Sequence, residues 1–150
     1  MQEKNNLSVL YQQENLSAEP KEFLDPNKFA EDGTTSLQQL EFSDNGKLFA
    51  YIVCEKGSDW GKIKFKSVET NADLEDVLEN VKFSCLSWTH DNKGVFYNQY
   101  PKSAKSDGTA TEKNEYQQLF YHKIGTKQSE DILCASFPDE PNWMGYFKFF

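Results

Sequence analysis

Val81-Lys82-Phe83-Ser84-Cys85-Leu86-Ser87-Trp88-Thr89-His90-Asp91-Asn92-Lys93-Gly94-Val95-Phe96-Tyr97-Asn98-Gln99-Tyr100-Pro101 reads as two strands around one tight turn. Phe83, Cys85, Leu86 and Trp88 form the approach, and Val95-Phe96-Tyr97 starts the return. Aromatic and β-branched residues favour pleated backbone, and the Asp-Asn-x-Gly cluster between them can supply the positive φ that a short hairpin needs. The same design occurs earlier, as Leu40-Glu41-Phe42, a turn Ser43-Asp44-Asn45-Gly46-Lys47, and Leu48-Phe49-Ala50-Tyr51. Phe42 and Trp88 are 46 residues apart.

A second pair of strands repeats as well. Lys62–Val68 resembles Leu119–Ile124, and each leads through a polar turn to a similar tetrapeptide, Glu75-Asp76-Val77-Leu78 or Glu130-Asp131-Ile132-Leu133. A degenerate copy opens the chain at Val9-Leu10-Tyr11 and Glu22-Phe23-Leu24. Tyr11 to Phe65 spans 54 residues and Phe65 to Tyr121 spans 56. Repeats of about 40–50 residues with four short strands each are the mark of β-propeller blades. The expected fold is therefore all-β, a partial β-propeller of about two to three four-stranded antiparallel blades. The alternative is a β-sandwich whose hairpins are alike by chance.

Length and charge narrow the function. The 150 residues fit one domain, yet a closed propeller needs about four blades or more. The chain is thus expected to oligomerise or to be part of something longer. Net charge is -8, and all 16 basic residues are lysines. Without arginine, an acidic chain is a poor partner for phosphate backbones or guanine edges, so no nucleic acid is expected. No polybasic patch, no apolar run near the roughly 20 residues of a membrane span and no signal-peptide core are present, so no membrane is expected and the localisation is read as cytoplasmic.

Along the chain, Asp25-Pro26-Asn27 marks a turn, and Phe29–Thr35 a connection between blades. Lys47–Cys54 is almost wholly apolar, as a strand buried on both faces would be. Asn71–Glu79 fits a short helix or a turn entering a strand, and the parallel with Glu130–Leu133 favours the strand. Lys102–Asn114 is the clearest loop. Pro138 and Pro141 mark another connection between blades.

No catalytic pattern is found. Gly57-Ser58-Asp59-Trp60-Gly61 has its serine one place too early for a G-x-S-x-G elbow, and no H-E-x-x-H, P-loop or G-x-G-x-x-G occurs. His90 reads as a solvated turn residue and His122 as a strand-face residue. The repeated pairs Glu75-Asp76 and Glu130-Asp131 point to capping or edge protection before chemistry. Cys54, Cys85 and Cys134 are an odd count without metal-ligand spacing, so neither a disulfide framework nor a metal site is expected, and no cofactor is implied.

Several of these stretches resemble prolyl oligopeptidase: Phe23–Asn27, Gly57–Trp60, Val81–Asp91, Lys105–Thr109, Ser129–Cys134 and Phe137–Gly145. The resemblance runs from about Leu7 to Gly145, in order and with matching spacing. It implies that 1–150 is part of a seven-bladed propeller that caps an α/β-hydrolase domain absent from this chain. Such enzymes cleave short peptides after proline with a Ser-Asp-His triad, and the propeller limits access by large proteins. No catalytic residue carries over, so the chain alone is expected to be inactive. The implied partners are short proline-containing peptides and the hydrolase domain. The family's cavity-side thiol matches Cys134, with a buried structural cysteine as the alternative reading. Tyr146–Phe150 stands outside the family pattern. Met1 falls inside that pattern, so a truncated product or an incomplete gene model is expected, with a free-standing interaction module as the rival.

Overall fold

In the computed structural model, residues 7–29, 34–55, 57–101 and 114–148 are described. Among the described residues, nine strands form two sheets. β1 (Leu10–Gln12) and β2 (Lys21–Leu24) make an antiparallel pair. The others make one antiparallel sheet in sequence order: β3 (Ser36–Phe42), β4 (Leu48–Cys54), β5 (Gly61–Ser67), β6 (Asp73–Trp88), β7 (Gly94–Gln99), β8 (Gln118–Lys123) and β9 (Ile132–Ser136). Asn71–Glu79 enters a strand rather than a helix. No helix among the described residues is long and apolar enough to cross a membrane.

The sheet is two four-stranded blades joined through one strand. The first half of β6 pairs with β5, with Lys64 opposite Val77, and the second half pairs with β7, with Leu86 opposite Tyr97. Val81 pairs with both Gly61 and Gln99, and so marks the crossing. Asn80 and Phe83 flank it at φ 58° and 47°, where the chain turns from the last strand of one blade into the first strand of the next. A sandwich would instead stack two sheets face to face.

The two hairpin turns are superposable in sequence at a spacing of 46. Ser43 N–H donates to Leu48 O at 2.9 Å, and Thr89 N–H to Gly94 O at 3.0 Å. Lys47 N–H donates to Asn45 Oδ1 at 3.0 Å, and Lys93 N–H to Asp91 Oδ1 at 3.1 Å. The positive φ is at Gly46 (68°) in the first turn and at Asn92 (60°) in the second, not at Gly94. Gly94 is needed for a different reason. A Cβ there would overlap the His122 carbonyl oxygen and meet the Tyr121 ring at 2.6 Å.

Strand period explains the core. Successive side chains of β4 point to opposite faces. Ala50, Ile52 and Cys54 meet Ile63, Phe65, Leu78, Val81, Leu86, Trp88, Val95 and Tyr97 between the blades. Phe49, Tyr51 and Val53 meet Phe23 and Leu24 of the opening strand pair. β4 is thus buried on both faces, which is why it reads as a continuous apolar run. β5 alternates instead: Ile63 and Phe65 face the core, while Lys62, Lys64 and Lys66 line the other side. Lys64 Nζ lies 5.4 Å from the Phe29 ring centroid, and Lys66 Nζ bonds Asp73 Oδ1 at 3.0 Å.

Both flanks of this pair of blades lack cover. On β3, Leu40 and Phe42 are 41% and 51% exposed, because β1 and β2 reach only part of that face. On the far side Ile132 of β9 is open to solvent, while Leu133, opposite Phe120, is half exposed at the outer end of the seam-facing side. Glu130 does not begin β9, as the repeat predicts. It closes a 3-10 turn, Gln128–Glu130, and its carboxylate accepts the Lys127 N–H at 2.9 Å. Capping is therefore its role. Most of the Lys102–Asn114 loop lies outside the described residues.

Candidate functional site

First strands of neighbouring blades lie side by side. Gln39 Nε2 on β3 donates to Ser84 O on β6 at 2.9 Å, and Trp88 Nε1 donates to Glu41 O at 3.0 Å. This rim carries Phe83, which is 43% exposed although its backbone has φ 47°. A bulky residue at positive φ is strained, and such strain persists where the surroundings impose it. The surroundings here are a hydrogen-bonded frame. Cys85 N–H donates to Asn98 Oδ1 at 2.8 Å, and Asn98 N–H to Ser84 Oγ at 2.7 Å. Gln117 Nε2 donates to Phe83 O at 3.1 Å, while Gln117 Oε1 accepts Gly145 N–H at 2.8 Å.

The same frame holds the chain that leaves β9. Tyr116 N–H donates to Pro141 O at 2.7 Å, Trp143 packs on Phe137 at 5.5 Å, and Gln39 Nε2 reaches the Tyr146 hydroxyl at 3.3 Å. The 137–148 segment thus crosses back from the outer strand to the rim of first strands. It presents Trp143, Met144 and Tyr146 to solvent, all more than half exposed. Lys82 adds charge between aromatics, its Nζ 5.1 Å from the Trp60 ring and 5.3 Å from Phe83. At the turn end of the rim, a shallow cleft of about 140 Å³ lies between Phe42, Trp88, His90 and Lys148.

Of the residues singled out in the sequence, His122, Asp76 and Asp131 come together, while the cysteines and His90 do not join them. Cys134 sits on β9, at a bulge where Leu119 pairs with Ala135 and Phe120 with Leu133. It is exposed and lies three strands from the rim; its thiol is raised above the ordinary value by partial desolvation. Cys54 and Cys85 are buried, and burial pushes both thiols up. His90 is in the turn and bonds Asp44 through Nδ1 at 2.6 Å. His122 is fully buried between Asp131 (2.6 Å) and Asp76 (3.0 Å), so it is a link between blades rather than a simple strand-face residue. Among the described residues no group of three or more His, Cys, Asp or Glu is placed to hold a metal ion. The rim presents apolar and aromatic surface.

The profile of the prolyl oligopeptidase N-terminal beta-propeller domain matches residues 1–149. The chain belongs to the prolyl oligopeptidase family. The match takes in Tyr146–Phe149, which the sequence reading set outside the family pattern. The prolyl endopeptidase of Elizabethkingia miricola is 44% identical over 126 residues, covering 84% of this chain and 17% of that protein. Prolyl oligopeptidase A of Amanita bisporigera is 39% identical over 137 residues, covering 81% of this chain and 18% of that protein. A structure of prolyl oligopeptidase B from Galerina marginata, bound to a 35mer hydrolysis and macrocyclization substrate, superposes with a TM-score of 0.83 at 29% identity. That superposition covers 95% of this chain and 22% of the other. The chain therefore spans about a fifth of the length of the prolyl oligopeptidases it matches, and what it matches is the propeller.

Proposed function

We propose that these blades work inside a longer prolyl oligopeptidase, where they form part of the wall and filter of the cavity through which short proline-containing peptides reach an α/β-hydrolase domain. The observation that carries this reading is the pair of uncovered flanks. Leu40 and Phe42 are only partly covered on one side and Ile132 lies open on the other, while the seam between the two blades is packed. Each flank is the shape of a blade interface without its second blade. The rim residues Phe83, Met144 and Tyr146 then face the interior of the ring, and a cytoplasmic setting suits the free thiols. Cys134 is the thiol most open to reagents, but on the outermost strand it lies three strands from the rim that this proposal turns to the cavity.

Sequencing the transcript through and beyond this segment tests the reading. In-frame continuation into further blades and a G-x-S-x-G-bearing domain is expected. A reading frame that ends with this segment, with no hydrolase domain encoded, contradicts it. The exposed apolar flanks also motivate a rival, a free-standing module that closes by assembling copies of itself. Light scattering after size exclusion separates the two: a single closed oligomer favours the module, and a monomer or a heterogeneous aggregate favours the longer enzyme.

A further inference from the structure

His122 has no solvent exposure and lies at the seam between the blades. Its strand, β8, belongs to the second blade, and so does Asp131, while Asp76 belongs to the first. Nδ1 is 2.6 Å from Asp131 Oδ1, and Nε2 is 3.0 Å from Asp76 Oδ1. An ionised carboxylate only accepts, so while both acids are ionised, two ring hydrogen bonds require protons on both nitrogens, that is, an imidazolium. The two acids are the repeated carboxylates of the sequence, one from each blade.

Several elements supply the surroundings of the ring. From β6 comes Asp76, and from the segment entering β9 comes Asp131. β7 contributes Tyr97, whose hydroxyl donates to Asp131 Oδ2 at 2.7 Å. β5 contributes Phe65, uncharged, stacked on the imidazole at 5.8 Å. The turn after β8 contributes the Gly125 N–H, which donates to Asp76 Oδ1 at 2.8 Å. Gln128 stands beside the group and spans the seam, taking the Glu79 N–H and donating to the Glu79 carbonyl, both at 3.0 Å.

We propose that His122 is a proton-operated latch, joining the blades as an imidazolium and releasing Asp76 when it loses one proton. The geometry decides which proton leaves. The Nδ1 bond is shorter, and Asp131 is held in place by Tyr97, so the neutral ring keeps the Nδ1 proton. Nε2 then turns a lone pair on the Asp76 carboxylate, and an attraction across the seam becomes a repulsion. Only the link between blades is cut, and the link within the second blade stays. Burial pushes the ring toward the neutral form, but Asp131 and Asp76 outweigh it and hold the pKa above the usual 6.5. The latch therefore stays closed to higher pH than an ordinary imidazole would allow and opens as pH rises through the raised value.

The chain has only two histidines, so imidazole nitrogen resonances can be followed by ¹⁵N NMR on the unaltered full chain. Both nitrogens of His122 are expected to be protonated at pH 7, with Nε2 losing its proton first at a midpoint above about 6.5. Over the same interval, exchange of the Gly125 amide is expected to rise roughly tenfold beyond ordinary base catalysis, as its Asp76 partner is pushed away. A neutral His122 at pH 7, a first loss from Nδ1, or unchanged Gly125 protection through the titration overturns the proposal. No substitution is needed, so loss of packing through mutation cannot obscure the answer.

Discussion

The indole Nε1–H of Trp88 donates to the backbone carbonyl of Glu41 at 3.0 Å, from the first strand of one blade to the first strand of the next. Trp88 is 5% exposed and also meets the Phe65 ring edge-on at 6.0 Å. Its sequence equivalent 46 residues earlier, Phe42, makes no such link and is half exposed, because the blade it would face is represented only by β1 and β2. One position in the repeat thus has two environments, set by whether a neighbouring blade is there.

Trp88→Phe should keep most of the packing and lose the hydrogen bond, at a cost of about 1–2 kcal/mol. Trp88→Ala should cost about 3–5 kcal/mol, because a cavity opens between the blades. Urea unfolding of the two variants checks this. Equal losses would mean that the bond to Glu41 carries the interface and packing does not.

Phe83 should respond in the opposite way to a core aromatic. It is about half exposed, and its φ of 47° suits glycine better than phenylalanine. Phe83→Gly is therefore expected to change stability by less than about 1 kcal/mol, since relief of backbone strain offsets the lost ring contacts. Phe49→Ala, at a fully buried position, is expected to cost about 3–5 kcal/mol. A large loss at Phe83 would show that its ring supports the fold and is not kept for the surface it presents.

The thiols should react in a fixed order. Cys134 is exposed, whereas Cys54 and Cys85 are buried. Native alkylation followed by peptide mass mapping should label Cys134 alone until the chain is unfolded, and more slowly than a free thiol near neutral pH, since its pKa is raised. Labelling of Cys54 or Cys85 at a similar rate would mean that the blade seam opens far more often than its packing allows.

His122 gives stability a defined pH dependence. Its folded pKa lies above the unfolded value of about 6.5, so its contribution is complete below that value and is lost as pH rises through the raised one. The melting temperature should therefore fall on the alkaline side. In Asp76→Asn, one of the two charges that raise the pKa is gone, and the fall should begin at lower pH. An Asp76→Asn profile superimposable on the parent would show that Asp76 does not act on the ring.

Hairpin turns and the 46-residue spacing were legible because they rest on local chemistry: Ser43–Lys47 and Thr89–Gly94 carry their own hydrogen-bonding pattern. β4 was legible from its unbroken apolar run. The continuity of β6 through Asn80 and Phe83 was not, since nothing in those residue types announces positive φ at Phe83. The role of His122 was hidden for a similar reason. Its partners lie 9 and 46 residues away, so no local motif exists, although the repetition of Asp76 and Asp131 was the available signal. Asn92 was obscured by Gly94, which invites the positive φ but is kept small by the close approach of His122.

The most direct test of the account is turnover of a proline-containing fluorogenic peptide by two preparations, the recombinant 150-residue chain and the native polypeptide immunopurified with an antibody to these blades. The native polypeptide should cleave after proline, and a serine-directed covalent inhibitor should abolish that cleavage. The recombinant chain should not cleave, because acyl transfer needs a nucleophile, a base and an oxyanion hole that the rim does not supply. Inhibitor-sensitive turnover by the recombinant chain, or none by the native polypeptide, would contradict the account.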